Sequence, residues 1–227
     1  MAQSVAVISG GSRGIGREIA RKLAAEHGLI VVVGSRRAAE SEAASGVRGH
    51  QLDVADTASV AAFAAWVGRE VGHVDVLVNN AGVYVDRGAR AGSVDLGVVQ
   101  ATLDVNVLGA WRLTQALIPH MGTGGRIINI SSEMGSTRGL AASRGGSPAY
   151  RISKAGINAL TLLLAAELEE AGILVNAACP GWVRTDMGGE SAPRTVAEGA
   201  DTPVWLATAE EARSTGGLWS DRKQIAW

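Results

Sequence analysis

Tyr150 and Lys154 stand four residues apart in the run Tyr150-Arg151-Ile152-Ser153-Lys154, just after Pro148. A helix opening near that proline would put both side chains on one face, one turn apart. A free phenol, with a pKa of about 10, trades protons poorly near neutral pH, and a nearby ammonium lowers that value by favouring the phenolate. The pair therefore reads as a proton donor and its tuner, suited to general acid catalysis where negative charge develops on an oxygen. The competing reading is a core tyrosine with a satisfied hydroxyl beside a solvated lysine.

A second chemical run, Ser9-Gly10-Gly11-Ser12-Arg13-Gly14-Ile15-Gly16, lies between an apolar stretch and a helical one. Glycines there let the backbone turn tightly and approach a pyrophosphate, whose charge the helix N-terminus favours. The spacing differs from the usual dinucleotide fingerprint, since three residues separate Gly10 from Gly14 and one separates Gly14 from Gly16. About twenty residues further on, where an acidic group would hold the ribose hydroxyls of NAD, stand Ser35-Arg36-Arg37. A guanidinium donates paired, charge-assisted hydrogen bonds to the extra phosphate of NADP, so Arg36 predicts NADP(H), with Arg13 able to approach the same phosphate. Solvated surface charge is the alternative for Arg36 and Arg37.

The elements that must carry these groups alternate. Val5–Ser9, Leu29–Ser35, His50–Val54, Val74–Asn79, Arg126–Ser131 and Ile173–Cys179 read as buried parallel strands, and Gly14–His27, Ala55–Val71, Asp95–Met121 and Ala149–Ala171 as helices. Gly216–Ser220 reads as a last strand. This order predicts an α/β, Rossmann-like doubly wound parallel sheet, one domain over 1–227, with ligands beyond the carboxyl ends of the strands. Two long loops rich in Gly, Ser and Ala, about 132–148 and 180–200, are expected to shape the substrate site. Trp66, Trp111 and Trp205 sit in helical patterns and are expected in the core.

A chain of 227 residues with 47% apolar and 19% charged residues can bury one large core. A net charge of −1 gives no reason to bind nucleic acid or an anionic membrane, so small-molecule partners are expected. No apolar run approaches the length of a membrane span and no signal-like start is evident, which points to a cytoplasmic protein. Cys179, the single cysteine, excludes an intrachain disulfide and a thiolate metal cluster, and it reads as a small buried residue. The four histidines lack metal-ligand spacing, and no metal is expected.

The glycine turn, Asn79-Asn80-Ala81-Gly82, Asn106, Ile130-Ser131-Ser132, the Tyr150–Lys154 run and Pro180-Gly181-Trp182-Val183-Arg184-Thr185, taken in that order, resemble the short-chain dehydrogenase/reductase family over nearly the whole chain. Cys179–Met187, Gly199–Ala207 and Ser220–Trp227 are most similar to its carbonyl reductase subgroup, although only Glu133–Ala149 lies before the tyrosine, where monomeric members carry a long insertion. The resemblance implies an NADP-dependent oxidoreductase that reduces a ketone or aldehyde by hydride transfer, or runs the reverse. A 3-oxoacyl thioester reductase and a non-catalytic, NADP-sensing binding protein are the alternatives.

The resemblance also implies that Lys154 binds the nicotinamide ribose and that Ser132 hydrogen-bonds the substrate carbonyl, with Ser131 as its competitor. Asn106 would hold a proton-relay water, or else would only satisfy backbone groups within its helix. Gly10, Ser12, Arg13, Gly14, Ile15, Gly16, Arg36, Asp53, Val54, Asn80, Ala81, Gly82, Pro180, Gly181, Val183 and Thr185 would line the cofactor, Asp53 having a helix cap as its rival role. Met134, Trp182, Met187 and Tyr84 fall in loops expected near the reacting carbon, where packing alone would also explain them. Helices 95–121 and 149–171 commonly form subunit contacts in the family, so a homodimer or homotetramer is expected.

Overall fold

The computed structural model describes residues 3–37, 46–142 and 146–227. The strands are β1 (Val5–Ser9), β2 (Ile30–Ser35), β3 (Val47–Gln51), β4 (Val76–Asn79), β5 (Arg126–Ile130), β6 (Leu174–Ala178), β7 (Leu218–Ser220) and β8 (Lys223–Ile225). Among the described residues they form one eight-stranded sheet in the order β3-β2-β1-β4-β5-β6-β7-β8, parallel throughout except for the β7–β8 pair. The helices are α1 (Gly14–Ala25), α2 (Thr57–Glu70), α3 (Leu96–Leu103), α4 (Ala110–Leu117), α5 (Thr137–Ala142), α6 (Pro148–Glu167) and α7 (Val196–Thr208).

Successive side chains of a strand leave on opposite faces, so a sheet covered on both sides needs apolar residues at every position. Val7, Leu77, Ile127 and Val175 pack with Phe63 of α2, Leu113 of α4 and Ile157 of α6. Their neighbours Ile8, Val78 and Ile128 pack on the other face with Ile19 and Leu23 of α1 and Leu206 of α7. Each such side chain, fully withdrawn from water, contributes about 1.5–3 kcal/mol. The chain runs outward from β1 through β2 to β3 and then returns to place β4 on the other side of β1. The connections therefore diverge at the carboxyl ends of β1 and β4, where a crevice for a ligand must open.

Several boundaries differ from those the sequence predicts. The third strand is Val47–Gln51 rather than His50–Val54, because β3 is an edge strand with partly exposed residues and needs no continuous apolar run. The long helix expected over Asp95–Met121 is interrupted: Asp104–Gly109 winds as a π-helix between α3 and α4, and Ile118–His120 ends as a 3₁₀ turn. Within the 132–148 loop lie a 3₁₀ turn, Glu133–Gly135, and α5, while residues 143–145 are outside the described residues. The 180–200 loop ends early, since Thr195 and Glu198 form a capping box that starts α7. Trp111 is 39% exposed rather than in the core.

Candidate active site

The carboxyl ends of β1 and β4 are joined by direct packing. Gly10 has φ 66°, and a Cβ on it would lie 2.8 Å from Cα of Ala81. A Cβ on Gly16 would overlap the Asn80 amide nitrogen and come within 2.7 Å of the Gly10 carbonyl oxygen. That amide donates to the carbonyls of Ser9 and Gly10 at 3.0 and 2.9 Å, while Ser9 Oγ accepts from the backbone N–H groups of Asn80 and Ala81. Asn80-Ala81-Gly82 is thereby fastened to the glycine turn.

The turn suits an anion. Arg13, at the N-cap of α1, makes no side-chain cap hydrogen bond, and no acidic residue occupies the first turn. The first amides and the positive end of the helix dipole therefore suit a diphosphate, with Ser12 and Ile15 half-buried beside them. Arg13 itself is turned toward the loop after β6, where it pairs with Asp186 at 2.7 Å, rather than toward Arg36. Both partners are largely exposed, so the pair exchanges readily for another anion. Arg36 is exposed immediately after β2, alongside the turn, where Gly10 N–H donates to the Gly34 carbonyl at 2.7 Å. Asp53 does not cap α2; its Oδ1 accepts from Ala55 N–H, and Asp56 supplies the cap. Val54 is buried against the π-helix at Gly109.

The loop after β6 folds back over the same turn. Pro180 is buried, Gly181 has φ 76°, buried Val183 bridges to Arg194, and Thr185 Oγ1 accepts from Gly188 N–H at 3.0 Å. A Cβ on Gly14 would meet the Thr185 methyl at 3.3 Å, so this loop closes onto the start of α1.

The Tyr–Lys pair stands on α6, which packs against β6 and the Glu133–Gly135 turn. The Tyr150 phenol lies beside Ser132, whose Oγ accepts from Met134 N–H at 3.1 Å. Ser131 is 2% exposed and its hydroxyl is bonded to Asn158, so the second serine is the one that reaches the tyrosine. Lys154 is buried, donates to the Ile130 carbonyl at 2.8 Å and lies 5.5 Å from the centre of the Tyr150 ring. Desolvation brings its pKa down to about 8.

The expected acidification of the phenol by Lys154 is not found. Burial, followed by the neighbouring Cys179 and Tyr84, pushes the Tyr150 pKa up, and this outweighs the downward pull of Ser132 and Arg87. Lys154 directs its charge at the Ile130 carbonyl instead. Burial thus opposes the acidity that proton donation near neutral pH calls for.

Asn106, in the π-helix, spends its side chain on structure. Its Oδ1 accepts from Val83 N–H at 2.8 Å, and its Nδ2 donates to the Val83 carbonyl and to Ser153 Oγ, each at 2.9 Å. The backbone groups it satisfies belong to the loop after β4 rather than to its own helix. Ser153 Oγ in turn donates to the Tyr150 carbonyl at 2.7 Å, so Asn106 ties the loop after β4 to α6.

That loop also reaches Tyr150 directly. The Tyr84 ring stacks on it at 4.3 Å with 25° between planes, and the Arg87 guanidinium lies over Tyr84 at 4.2 Å. The buried Asp86 Oδ2 accepts from Ala149 N–H at 2.7 Å and from Tyr150 N–H at 3.4 Å. No local motif signals Asp86, because Ser147-Pro148 reads as a self-sufficient helix start. A buried chain from Thr114 through Asn79 and Asn129 to Thr161 likewise escapes pattern reading, since its partners are far apart in sequence.

Of the expected pocket residues, Met134 is half-buried beside Ser132, whereas Trp182 (55% exposed) and Met187 (37% exposed) lie open to solvent. Trp182 Nε1 donates to the Gly188 carbonyl at 2.8 Å, and Arg87 donates to that of Met187. Cys179 is buried, with Sγ accepting from Glu133 N–H. Among the described residues no group of His, Cys, Asp and Glu is placed to hold a metal ion.

The short chain dehydrogenase family model matches residues 4–195. Carbonyl reductase [NADPH] 3 of Mus musculus is 34% identical over 89% of this chain and 90% of its own length. Carbonyl reductase [NADPH] 1 of Sus scrofa is 32% identical over 98% and 94%. Among solved structures, the NADPH-bound carbonyl reductase from chicken fatty liver superimposes with a TM-score of 0.88 at 26% identity, covering 100% of both chains.

Proposed function

The chain belongs to the short-chain dehydrogenase family, and from that premise we propose that it reduces a ketone or aldehyde to an alcohol with NADPH, or catalyses the reverse. The observation that carries this reading is the Tyr150–Lys154 pair on α6, joined to the glycine turn by the segment after β4, whose Asn80 donates to the Gly10 carbonyl and whose Asp86 accepts from the Ala149 and Tyr150 N–H groups. Bound NADPH supplies the hydride. The amides at the start of α1 and the Gly10–Gly16 turn hold the diphosphate, with Ser12 and Ile15 alongside; Arg36, aided by Arg13, holds the ribose phosphate. Asp53 and Val54 flank the adenine. Asn80, Ala81 and Gly82, with Pro180, Gly181, Val183 and Thr185, border the nicotinamide half. Lys154 binds the nicotinamide ribose, its Nζ already anchored on the Ile130 carbonyl.

Ser132 Oγ donates to the substrate carbonyl oxygen, and Tyr150 delivers its phenolic proton as that oxygen gains charge. Asn106 keeps the loop after β4 docked on α6. Met134 walls the site, with Trp182 and Met187 at its mouth, and the segments 132–148 and 180–200 shape the substrate side of a single domain spanning 1–227. The 3-oxoacyl thioester alternative shares this chemistry.

The test is NADPH consumption, followed by absorbance, against a panel of ketones, aldehydes, quinones and a 3-oxoacyl thioester. Tyr150→Phe should bind NADPH as wild type does yet lose reduction by at least about a hundredfold, the lower end of the range for general acid catalysis. Retained turnover in that variant would reject the assignment, and binding without oxidation of any substrate would favour the sensor.

Leu96 of α3, Trp111 of α4 and Ile152, Leu162 and Leu163 of α6 are exposed apolar side chains, which supports a homodimer or homotetramer. Light scattering that shows only a 23.3 kDa species would refute the assembly. A cytoplasmic location belongs to the same proposal; among the described residues no helix is long and apolar enough to cross a membrane.

A further inference from the structure

We propose that Asp86 is a positioning residue, whose carboxylate caps the catalytic helix from outside and, with Tyr84 stacked on the ring, sets where the Tyr150 hydroxyl stands. The inference rests on Tyr150 being the proton donor. A helix start leaves backbone N–H groups in need of acceptors, normally supplied by the residue at the cap. In α6 that residue, Ser147, has φ 61° and makes no cap hydrogen bond, and its hydroxyl is engaged with Tyr84 OH at 2.8 Å. Pro148 has no N–H. The first two available donors, Ala149 and Tyr150, both turn to Asp86 Oδ2, sixty-odd residues away in sequence.

Asp86 is 4% exposed, and its Oδ1 is buried without a hydrogen-bond partner. Oδ2 is the acceptor for both free N–H groups at the start of α6, so the carboxylate fixes the backbone from which the Tyr150 ring projects. Three residues of one short segment grip one turn of helix: Val83 is tethered by Asn106, which also holds Ser153, while Tyr84 stacks on Tyr150 and Asp86 holds the Tyr150 backbone. Arg87 covers Tyr84 from its own side. The same segment follows directly on Asn80-Ala81-Gly82, packed on the glycine turn. One stretch of chain thus links the cofactor turn to the tyrosine, and a misplacement of about 1 Å at such a group costs about a hundredfold in rate.

The experiment compares Asp86→Ala, Asp86→Asn, Tyr84→Leu and Tyr150→Phe in the full chain, measuring kcat and KM for a panel substrate, NADPH affinity by fluorescence, and Tm. Asp86→Ala should lower kcat between about tenfold and a hundredfold, with substrate KM and NADPH Kd within about threefold of wild type. Asp86→Asn, which keeps an acceptor oxygen, should restore kcat to within about threefold. Tyr84→Leu should lower kcat in the same selective way and stands in for Asp86→Ala if that variant does not fold. Unchanged kcat in Asp86→Ala or Tyr84→Leu overturns the proposal. So does a loss spread equally over kcat, NADPH affinity and Tm that asparagine fails to rescue. Turnover retained in Tyr150→Phe would instead overturn the assignment of the proton donor, a separate outcome.

Discussion

Gly16→Ala isolates the packing on which the cofactor turn depends. Gly16 lies in the first turn of α1, where alanine by itself would help the helix by about 1 kcal/mol. Against that gain, the new methyl would occupy the place of the Asn80 amide nitrogen and stand 2.7 Å from the Gly10 carbonyl oxygen. The amide must swing away and give up its hydrogen bonds to Ser9 and Gly10, each worth about 1 kcal/mol. The backbone oxygen cannot move as freely, which adds roughly 1–3 kcal/mol of overpacking. The cost wins by about 2–4 kcal/mol, and for a domain of this size the Tm should fall by about 5–12 °C. Displacement of Gly10 and Asn80 should also weaken NADPH binding about tenfold, a difference of about 1.4 kcal/mol. Differential scanning fluorimetry and a fluorescence titration with NADPH read both effects. Gly92→Ala is the control, since a Cβ there meets nothing within 4 Å, and its effect should stay within about 0.5 kcal/mol. A Gly16→Ala protein that melts within about 2 °C of wild type and binds NADPH equally well would refute the packing argument.

The two adjacent serines should separate cleanly. Ser132→Ala, which removes the hydroxyl beside Tyr150, is expected to reduce kcat by about a hundredfold with little change in Tm, whereas Ser131→Ala should lower stability by about 1–2 kcal/mol and leave most activity. Lys154 is a stability burden below its folded pKa of about 8, because burial opposes its charge while the unfolded chain keeps the usual value of 10.5. Stability should therefore rise with pH between about 8 and 10.5, and Lys154→Met should be inactive yet more stable at pH 7 by about 2 kcal/mol, an advantage that fades as the pH climbs through that window. Melting curves of both proteins from pH 6 to pH 10 decide this, and a pH-independent difference would contradict it. Arg36→Glu should lower kcat/KM with NADPH by more than tenfold and spare NADH, since a carboxylate repels the ribose phosphate and accepts from a ribose hydroxyl; steady-state kinetics with both cofactors test this, and an unchanged preference would remove Arg36 from the site.

The alternation of apolar runs and helical spacings was enough to specify a doubly wound parallel sheet, because strands covered on both faces must be apolar at every position and helices on one stripe only. The glycine turn and the four-residue interval from Tyr150 to Lys154 were legible for the same reason: their chemistry is local, set by backbone reach and by helical periodicity. The edges of elements were less so. The half-wet β3 edge carries no apolar run to mark it, and nothing in residues 95–121 announces the π-helix that holds Asn106.

Tertiary structure alone decided matters that depend on groups far apart in the chain. The two adjacent serines differ in their partners, Ser131 being held in a buried bond with Asn158 while Ser132 accepts from Met134 N–H. The direction of the Tyr150 pKa is set by desolvation, which depends on everything packed around the phenol and reverses the expectation drawn from a neighbouring ammonium. The cap on α6 comes from Asp86 because Ser147 is turned into a left-handed conformation, and a hydrogen bond across so long a loop leaves no trace in local spacing. Periodicity records what a residue does for its own element, whereas burial and long-range hydrogen bonding are properties of the assembled fold.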